Sequence, residues 1–345
     1  MHTKYLFQFT KCVFIVLLIH STLYSQNVSK VGTTAASFLQ IPVGASAGGF
    51  GGAFVSVSDD ISALYWNVSG ITKFDNFGVQ IIHTDWIAET KFDFAGLVLP
   101  IEGFGVLGFS FTSLSMDDMK VTTVEKPDGT GEYFSANDIA FGVSFARKLT
   151  DRFSIGVTVK YIQQSIWHMN AYGFAIDAGT LFRTDLLGGM NIGASISNFG
   201  TPMKLAGRDT RYFIRLDPTK QGSNERIPTN IELDEWDLPL VFQIGVSTDA
   251  IKMDDYKLTV AVDALHPNND YQSLNAGCEF AFMNFLYFRT GYQSLFLKDA
   301  EGGFSLGFGV NSNMLFTQTL VKFDYSYRNF SRLKNTHTFS LGINY

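Results

Sequence analysis

The chain closes on Thr338-Phe339-Ser340-Leu341-Gly342-Ile343-Asn344-Tyr345, where large apolar residues alternate with small polar ones and the last residue is aromatic. A two-residue period describes a strand with one greasy face and one polar face. The pattern recurs in about fourteen segments of roughly ten residues, the span a tilted strand needs to cross a bilayer. Phe304, Leu306, Phe308 and Val310 oppose Ser305, Gly307, Gly309 and Asn311. Val321, Phe323, Tyr325 and Tyr327 oppose Lys322, Asp324, Ser326 and Arg328, and Ile139, Phe141, Val143 and Phe145 oppose Ala140, Gly142, Ser144 and Ala146. Charged residues make up 17% of the chain, below the roughly 25% of an average soluble protein. After the N-terminus no stretch reaches the ~18 consecutive apolar residues of a membrane helix. These features predict an all-β fold: a 14-stranded antiparallel transmembrane β-barrel in the bacterial outer membrane, with lipid outside and a polar lumen.

Strands are expected at 79–87, 91–99, 104–114, 136–147, 153–164, 171–182, 189–198, 239–248, 256–265, 271–282, 285–293, 303–311, 316–328 and 336–345. Connection length supplies an independent test. Both ends of an even-numbered barrel lie on the periplasmic side, where turns are short. The links after even-numbered strands are indeed short. The two longest insertions, Ser115–Ser135 and Phe199–Leu238, follow odd-numbered strands.

Residues 1–25 read as a signal peptide, with Lys4 and Lys11 before the apolar run Cys12–Ile19 and cleavage near Ser25–Gln26. Its removal takes two lysines and no acid from 26 basic and 32 acidic residues, leaving a net charge of −8. Such a balance argues against nucleic acid as a partner. Cys278 is then alone, so no intrachain disulfide forms. Residues 26–77 are rich in Gly, Ala and Ser, and a helix is expected over Ile61–Trp66 after Ser58-Asp59-Asp60. That segment has little core of its own, so residues 26–77 are expected to plug the lumen of a barrel formed by residues 78–345.

Lys160, Asp177, Asp263, Glu279, Arg289, Lys322, Asp324 and Arg328 all fall on the Ser/Gly/Asn side of their strands. A Lys or Arg on the lipid face at mid-bilayer costs about 2–4 kcal/mol, so these belong inside. There they either pair across strands as structure or contact the plug. In the second reading Asp59 and Asp60 dock on Arg289, Lys322 or Arg328.

No constellation for catalysis is apparent. His83, His168, His266 and His337 lack metal-ligand spacing to one another or to Cys. Gly48-Gly49-Phe50-Gly51-Gly52 follows no clear strand and lacks Gly-Lys-Ser/Thr, so close packing in the barrel is its reading, not a phosphate loop. Neither an enzymatic activity nor a cofactor or metal is expected. Trp66, Trp86, Trp167 and Trp236 read as interface or loop-packing residues. The long loop Phe199–Leu238 carries Arg208, Arg211, Tyr212, Arg215, Lys220 and Arg226, then Glu232, Asp234, Glu235 and Trp236. It is either a solvated variable loop or a partner-binding surface.

The run from Gly44 to Ile71 contains Gly44, Gly48, Gly51, Gly52, Asp59, Asp60, Trp66, Asn67 and Gly70. It resembles the PorV/PorQ family, whose members open with a Gly-Ala-Arg-Ala-x-Gly-Met-Gly-Gly-Ala-Phe-Val-Ala stretch, followed by Asp-Asp and a Tyr-Trp-Asn-Pro-Ala-Gly-Leu box. Ser46 stands where Arg is usual, and Val68-Ser69 where Pro-Ala is usual. The resemblance covers about 28 residues. It implies a FadL-like outer-membrane barrel with an N-terminal hatch, from a Bacteroidetes-type bacterium. It further implies a role in type IX secretion, with secreted cargo and translocon or attachment components as partners. FadL-like relatives imply an alternative, transport of a hydrophobic small molecule past the hatch.

Overall fold

Alternation predicts a sheet whose two faces meet different solvents, and the computed structural model closes that sheet on itself. It describes residues 32–186, 189–215, 219, 226–297, 300, 302–312, 319–330 and 335–345. The expected signal peptide, the first residues of the expected plug and Lys220 lie outside them.

The barrel strands are β1 (Gly78–Asp85), β2 (Lys91–Ile101), β3 (Gly105–Ser115), β4 (Ala136–Thr150), β5 (Phe153–Ile166), β6 (Met169–Thr184) and β7 (Met190–Gly200), then β8 (Val241–Lys252), β9 (Tyr256–Pro267), β10 (Ser273–Phe282), β11 (Leu286–Leu295), β12 (Phe304–Asn311), β13 (Leu320–Arg328) and β14 (Thr336–Asn344). Each pairs antiparallel with its sequence neighbours. The seam is β1 against β14, with Gly78 opposite Asn344 and Asp85 opposite His337. All fourteen expected strands are present. The start of β13 at Leu320, against the expected 316, falls beside residues 313–318, which are not described.

Outward residues form an apolar belt. Ile81 is 59% exposed, Phe174 57% and Leu306 48%. A water-soluble sheet does not leave so broad an apolar face uncovered, whereas lipid covers it at no cost. No helix among the described residues is long and apolar enough to cross a membrane, so the strands do the crossing.

The inner face divides in two. On β1 to β6 it carries an apolar patch: Ile82, Phe92, Phe94, Val98, Val106 and Ile162 are buried in one cluster with residues of the N-terminal segment, beside buried Gln80, Thr84, Ser144, Thr158 and Asp177. On β9 to β14 it is polar: Asp263, Asn275, Glu279, Arg289, Ser305, Asp324, Ser326, Arg328 and Ser340 are all buried.

The N-terminal segment fills the space between these faces. It contains a 3₁₀ turn (Ser37–Gln40), helix α1 (Ala45–Gly49), helix α2 (Ala63–Trp66) and a second 3₁₀ stretch (Val68–Lys73). Helix α1 was not anticipated from the sequence. Helix α2 begins two residues later than expected, because the Asp60 carboxylate accepts from Ser62 N–H and Oγ–H and holds a turn there. The described part of this segment enters at the extracellular mouth, where Ala35 N–H donates to Asp237 O and Ala36 N–H to Gln164 Oε1. It leaves at the periplasmic end, where Thr72 Oγ1 donates to Ser154 Oγ and Tyr345 N–H to Phe77 O.

Candidate functional site

The plug is held to the wall by close backbone approach, and glycine makes that approach possible on both partners. Gly44, at φ 97°, turns the chain into α1, and the next N–H, of Ala45, donates to Ser340 Oγ at 2.9 Å. Helix α1 lies across β11 to β13. A Cβ on Gly48 would meet Ser326 Oγ at 2.6 Å, and one on Gly49 would meet Arg289 Cβ and Gly307 Cα at 2.9 Å. Gly51 and Gly52, at φ 66° and 78°, form the following turn. Gly51 sits against the Gly291–Tyr292 backbone, and Gly52 O accepts from Asn275 Nδ2. Across from them, a Cβ on Gly277 would stand 2.2 Å from Phe50 O.

Polar anchors complete the seat. Val55 N–H donates to Asp263 Oδ2 at 2.8 Å. Asn67 Nδ2 donates to both Val55 O and Thr180 O at 2.9 Å, tying two parts of the plug to β6. Gly70 packs where a Cβ would stand 2.6 Å from Ser58 Cβ. Trp66 is buried in the plug itself and is not an interface or loop residue: its Nε1–H donates to Val43 O at 2.8 Å, and Phe54 packs edge-on against its ring. Gly44, Gly48, Gly51, Gly52, Trp66, Asn67 and Gly70 of the motif thus pack or anchor the segment.

The luminal charges form a network within the wall. Arg289 donates through Nε to Glu279 Oε2 at 2.7 Å and through Nη1 to Asp324 Oδ1 at 2.6 Å. Glu279 is its register partner on β10. Asp324 lies two strands away on β13, and the guanidinium reaches it over Gly307 and Gly309 of β12. A Cβ on Gly309 would stand 2.3 Å from Asp324 Oδ1. Lys322 Nζ lies 3.7 Å from Asp324 Oδ2. Across the lumen Lys160 pairs with Asp177 at 2.8 Å. Arg328 is buried beside α1 with its guanidinium over the Phe330 ring at 5.6 Å, and has no carboxylate partner among the described residues.

Docking of Asp59 and Asp60 on Arg289, Lys322 or Arg328 is therefore not what the structure shows. Among the described residues neither aspartate makes an ion pair with those cations. Arg289 is already engaged by two wall carboxylates. Asp60 turns back to Ser62, and Asp59 is exposed. Burial pushes the Asp60 carboxyl above the ordinary carboxylate range; Lys322 opposes that rise, and the Asp59 charge adds to it. The plug contacts made by Asp263, Asn275 and Ser340 had no signal in the sequence beyond their place on the inward face.

Two spaces flank the wall near its extracellular rim. A cavity of about 200 Å³ lies inside, among Leu39, Gln40, Tyr65, Trp66, Lys160 and Asn198. A groove of about 510 Å³ lies on the outer surface, among Phe242, Ile244, Leu274, Leu295 and Phe296. Leu265 and Ser273 line both.

The described residues of the long loop 201–240 comprise an anchored base and an exposed hairpin. Met203 and Trp236 exchange backbone hydrogen bonds at 2.8 and 2.9 Å, while the Met203 side chain is buried at the mouth. His168 Nδ1 lies 3.1 Å from Asp209 Oδ1, and Arg208 meets the other ring nitrogen. Beyond this base a two-stranded hairpin, Arg211–Ile214 with Ile227–Asn230, stands in solvent. Tyr212, Phe213, Arg215 and Trp236 are exposed. Arg208, Arg211, Tyr212 and Arg215 thus lie close in sequence on one projecting element, with Trp236 at its base.

A closed barrel with an apolar belt and a plug seated from the N-terminal side defines an integral outer-membrane protein of FadL-like architecture. The match to the family model for type IX secretion system protein PorV spans residues 24–265, and the chain belongs to that family. Comparison with proteins of curated function found no match. Among solved structures it is similar to the CymD monoaromatic hydrocarbon channel, at 11% identity and TM-score 0.55 over 88% of this chain and 97% of that one. It is also similar to the toluene transporters TodX of Pseudomonas putida and TbuX of Ralstonia pickettii, at 12% and 10% identity. Each comparison has TM-score 0.53 over 88% of this chain and 97% of the other. At these identities the likeness is one of fold. Family and fold are those of outer-membrane barrels rather than of enzymes.

Proposed function

We propose that this protein serves type IX secretion by binding secreted cargo and translocon or attachment partners through its extracellular loops. The observation that carries the reading is the contrast between lumen and rim in a member of this family. The lumen is occupied by a plug seated on glycine and polar anchors, while the 201–240 loop projects an exposed hairpin with Tyr212 and Phe213. Loops on a rigid barrel are the usual place for partner contacts. Deleting the gene is expected to abolish surface display of cargo, and the solubilised protein is expected to copurify with a translocon. Intact display in the deletion strain rejects the reading.

A second reading, passage of a hydrophobic small molecule, is favoured by the inner cavity and outer groove that share Leu265 and Ser273 as a wall one residue thick. The structural relatives named as hydrocarbon channels and toluene transporters belong to the same fold. Apolar ligand density in the inner cavity, and uptake lost on Leu265→Trp, would support it. Uptake unaffected by that change counts against it.

A further inference from the structure

The exposed hairpin of the long loop has two edges of different chemistry. Its register places Arg211 opposite Asn230, Tyr212 opposite Thr229, Phe213 opposite Pro228 and Ile214 opposite Ile227. Ile231 N–H donates to Thr210 O at 2.8 Å, so Thr210 and Ile231 form a hydrogen-bonded pair. In an antiparallel ladder such pairs alternate with pairs whose backbone groups point away from the partner strand. Tyr212 and Ile214 therefore bond inward, while Phe213 and Pro228 point outward. On the Pro228 edge the outward N–H does not exist, which blunts that edge against further pairing. On the Phe213 edge the outward N–H and C=O and the Arg211 C=O remain, and no backbone bond to these three groups occurs among the described residues. The Arg211 N–H is taken by Arg208 O.

The side chains around this edge are basic and apolar. Arg211, Tyr212, Phe213 and Ile214 are all exposed. The Arg226 guanidinium lies 5.2 Å over the Phe213 ring, and Arg211 makes no ion pair among the described residues. Two strands alone are marginal in water, and a third gives them a face to pack.

We infer that the Arg211–Ile214 edge receives an extended acidic-apolar strand of a secreted polypeptide, which pairs with Phe213 and Arg211 through its backbone and sets carboxylates against Arg211 and Arg226. This inference rests on the secretion reading and deepens it, in the mode by which an extended peptide adds a strand to an open sheet edge.

The test uses the full chain in detergent micelles and, as probe, a short fluorescent peptide of alternating valine and glutamate. Saturable binding is expected. Losing one backbone hydrogen bond weakens it about tenfold, so N-methylation of the peptide nitrogens facing the edge, or Phe213→Pro in the protein, should each reach that loss. Arg211→Glu leaves the backbone intact and should reverse the preference towards the lysine counterpart of the peptide. The gel-shift temperature of each variant reports that the barrel is folded. Absence of binding, or equal binding of the N-methylated peptide, overturns the inference. So does disulfide-linked dimerisation of Phe213→Cys in a Cys278→Ser background, which would give the edge to a second copy. In cells the two readings separate. Display lost on gene deletion but normal in Phe213→Pro sinks the edge alone; display unaffected by deletion sinks the secretion reading, whatever the peptide does.

Discussion

The two halves of the lumen wall hold the same plug by different means. Strands β1 to β6 meet it with Ile82, Phe92, Phe94, Val98 and Val106, packed on Ile61, Leu64 and Ile71. Strands β9 to β14 meet it with Asp263, Asn275, Ser305 and Ser340, which bond its backbone, and with glycines that let that backbone lie flat. Apolar contact is non-directional and tolerates small shifts. Buried polar contact fixes one position and penalises every other. The apolar contacts thus contribute adhesion, and the polar contacts contribute register, with Asn67 to Thr180 O on β6 adding a directional anchor on the first side.

The largest test of that division is Arg289→Met. It leaves Glu279 and Asp324 buried without their cation, and a loss of about 3–5 kcal/mol in the stability of the detergent-solubilised barrel is expected. Replacing all three residues with apolar ones should recover most of it; if it does not, the charges matter for more than mutual neutralisation. On the other half, Phe94→Ala removes a ring that is 2% exposed, for an expected loss of about 3 kcal/mol. Because the Phe94 ring supplies adhesion without direction, the plug's protease resistance should survive that change better than Arg289→Met. Gly277→Ala then probes close approach alone. A methyl 2.2 Å from Phe50 O must displace the plug, at about 1–3 kcal/mol, with no charge or cavity involved.

The smallest effect concerns Asp60, beside the meeting of the halves. Burial holds its carboxyl above the ordinary range, against the pull of Lys322. A carboxyl whose folded pKa is raised contributes stability fully below the unfolded value of about 3.9, and loses it as pH rises through the folded value. Asp60→Asn keeps an acceptor for the Ser62 turn and removes that loss. Urea unfolding at neutral pH should show a gain in stability for this variant, shrinking towards pH 3.

The strands were legible because the membrane and the lumen impose opposite demands on alternate residues, as in β12 and β14. The even turns were legible from length alone. In β2 the signal fails: Phe92 and Phe94 face in while Leu97 and Leu99 face out, and two greasy faces give alternation nothing to read. The partners of Arg289 were half legible. Glu279 follows from the hairpin register, whereas Asp324 depends on Gly307 and Gly309 opening a path across an intervening strand. Trp66 and Asn67 were visible as a motif, but their bonds to Val43 and Thr180 join segments that only the closed barrel brings together. The open edge at Phe213 was hidden because Pro228 acquires its meaning only once the pairing is known.

The seam between β1 and β14 joins closure to filling. The segment that threads the bore runs directly into the first strand, and the last strand completes the circle by pairing with that first strand. The stopper and the clasp of the hoop therefore hang on one strand, and a change that loosens β1 reaches both at once.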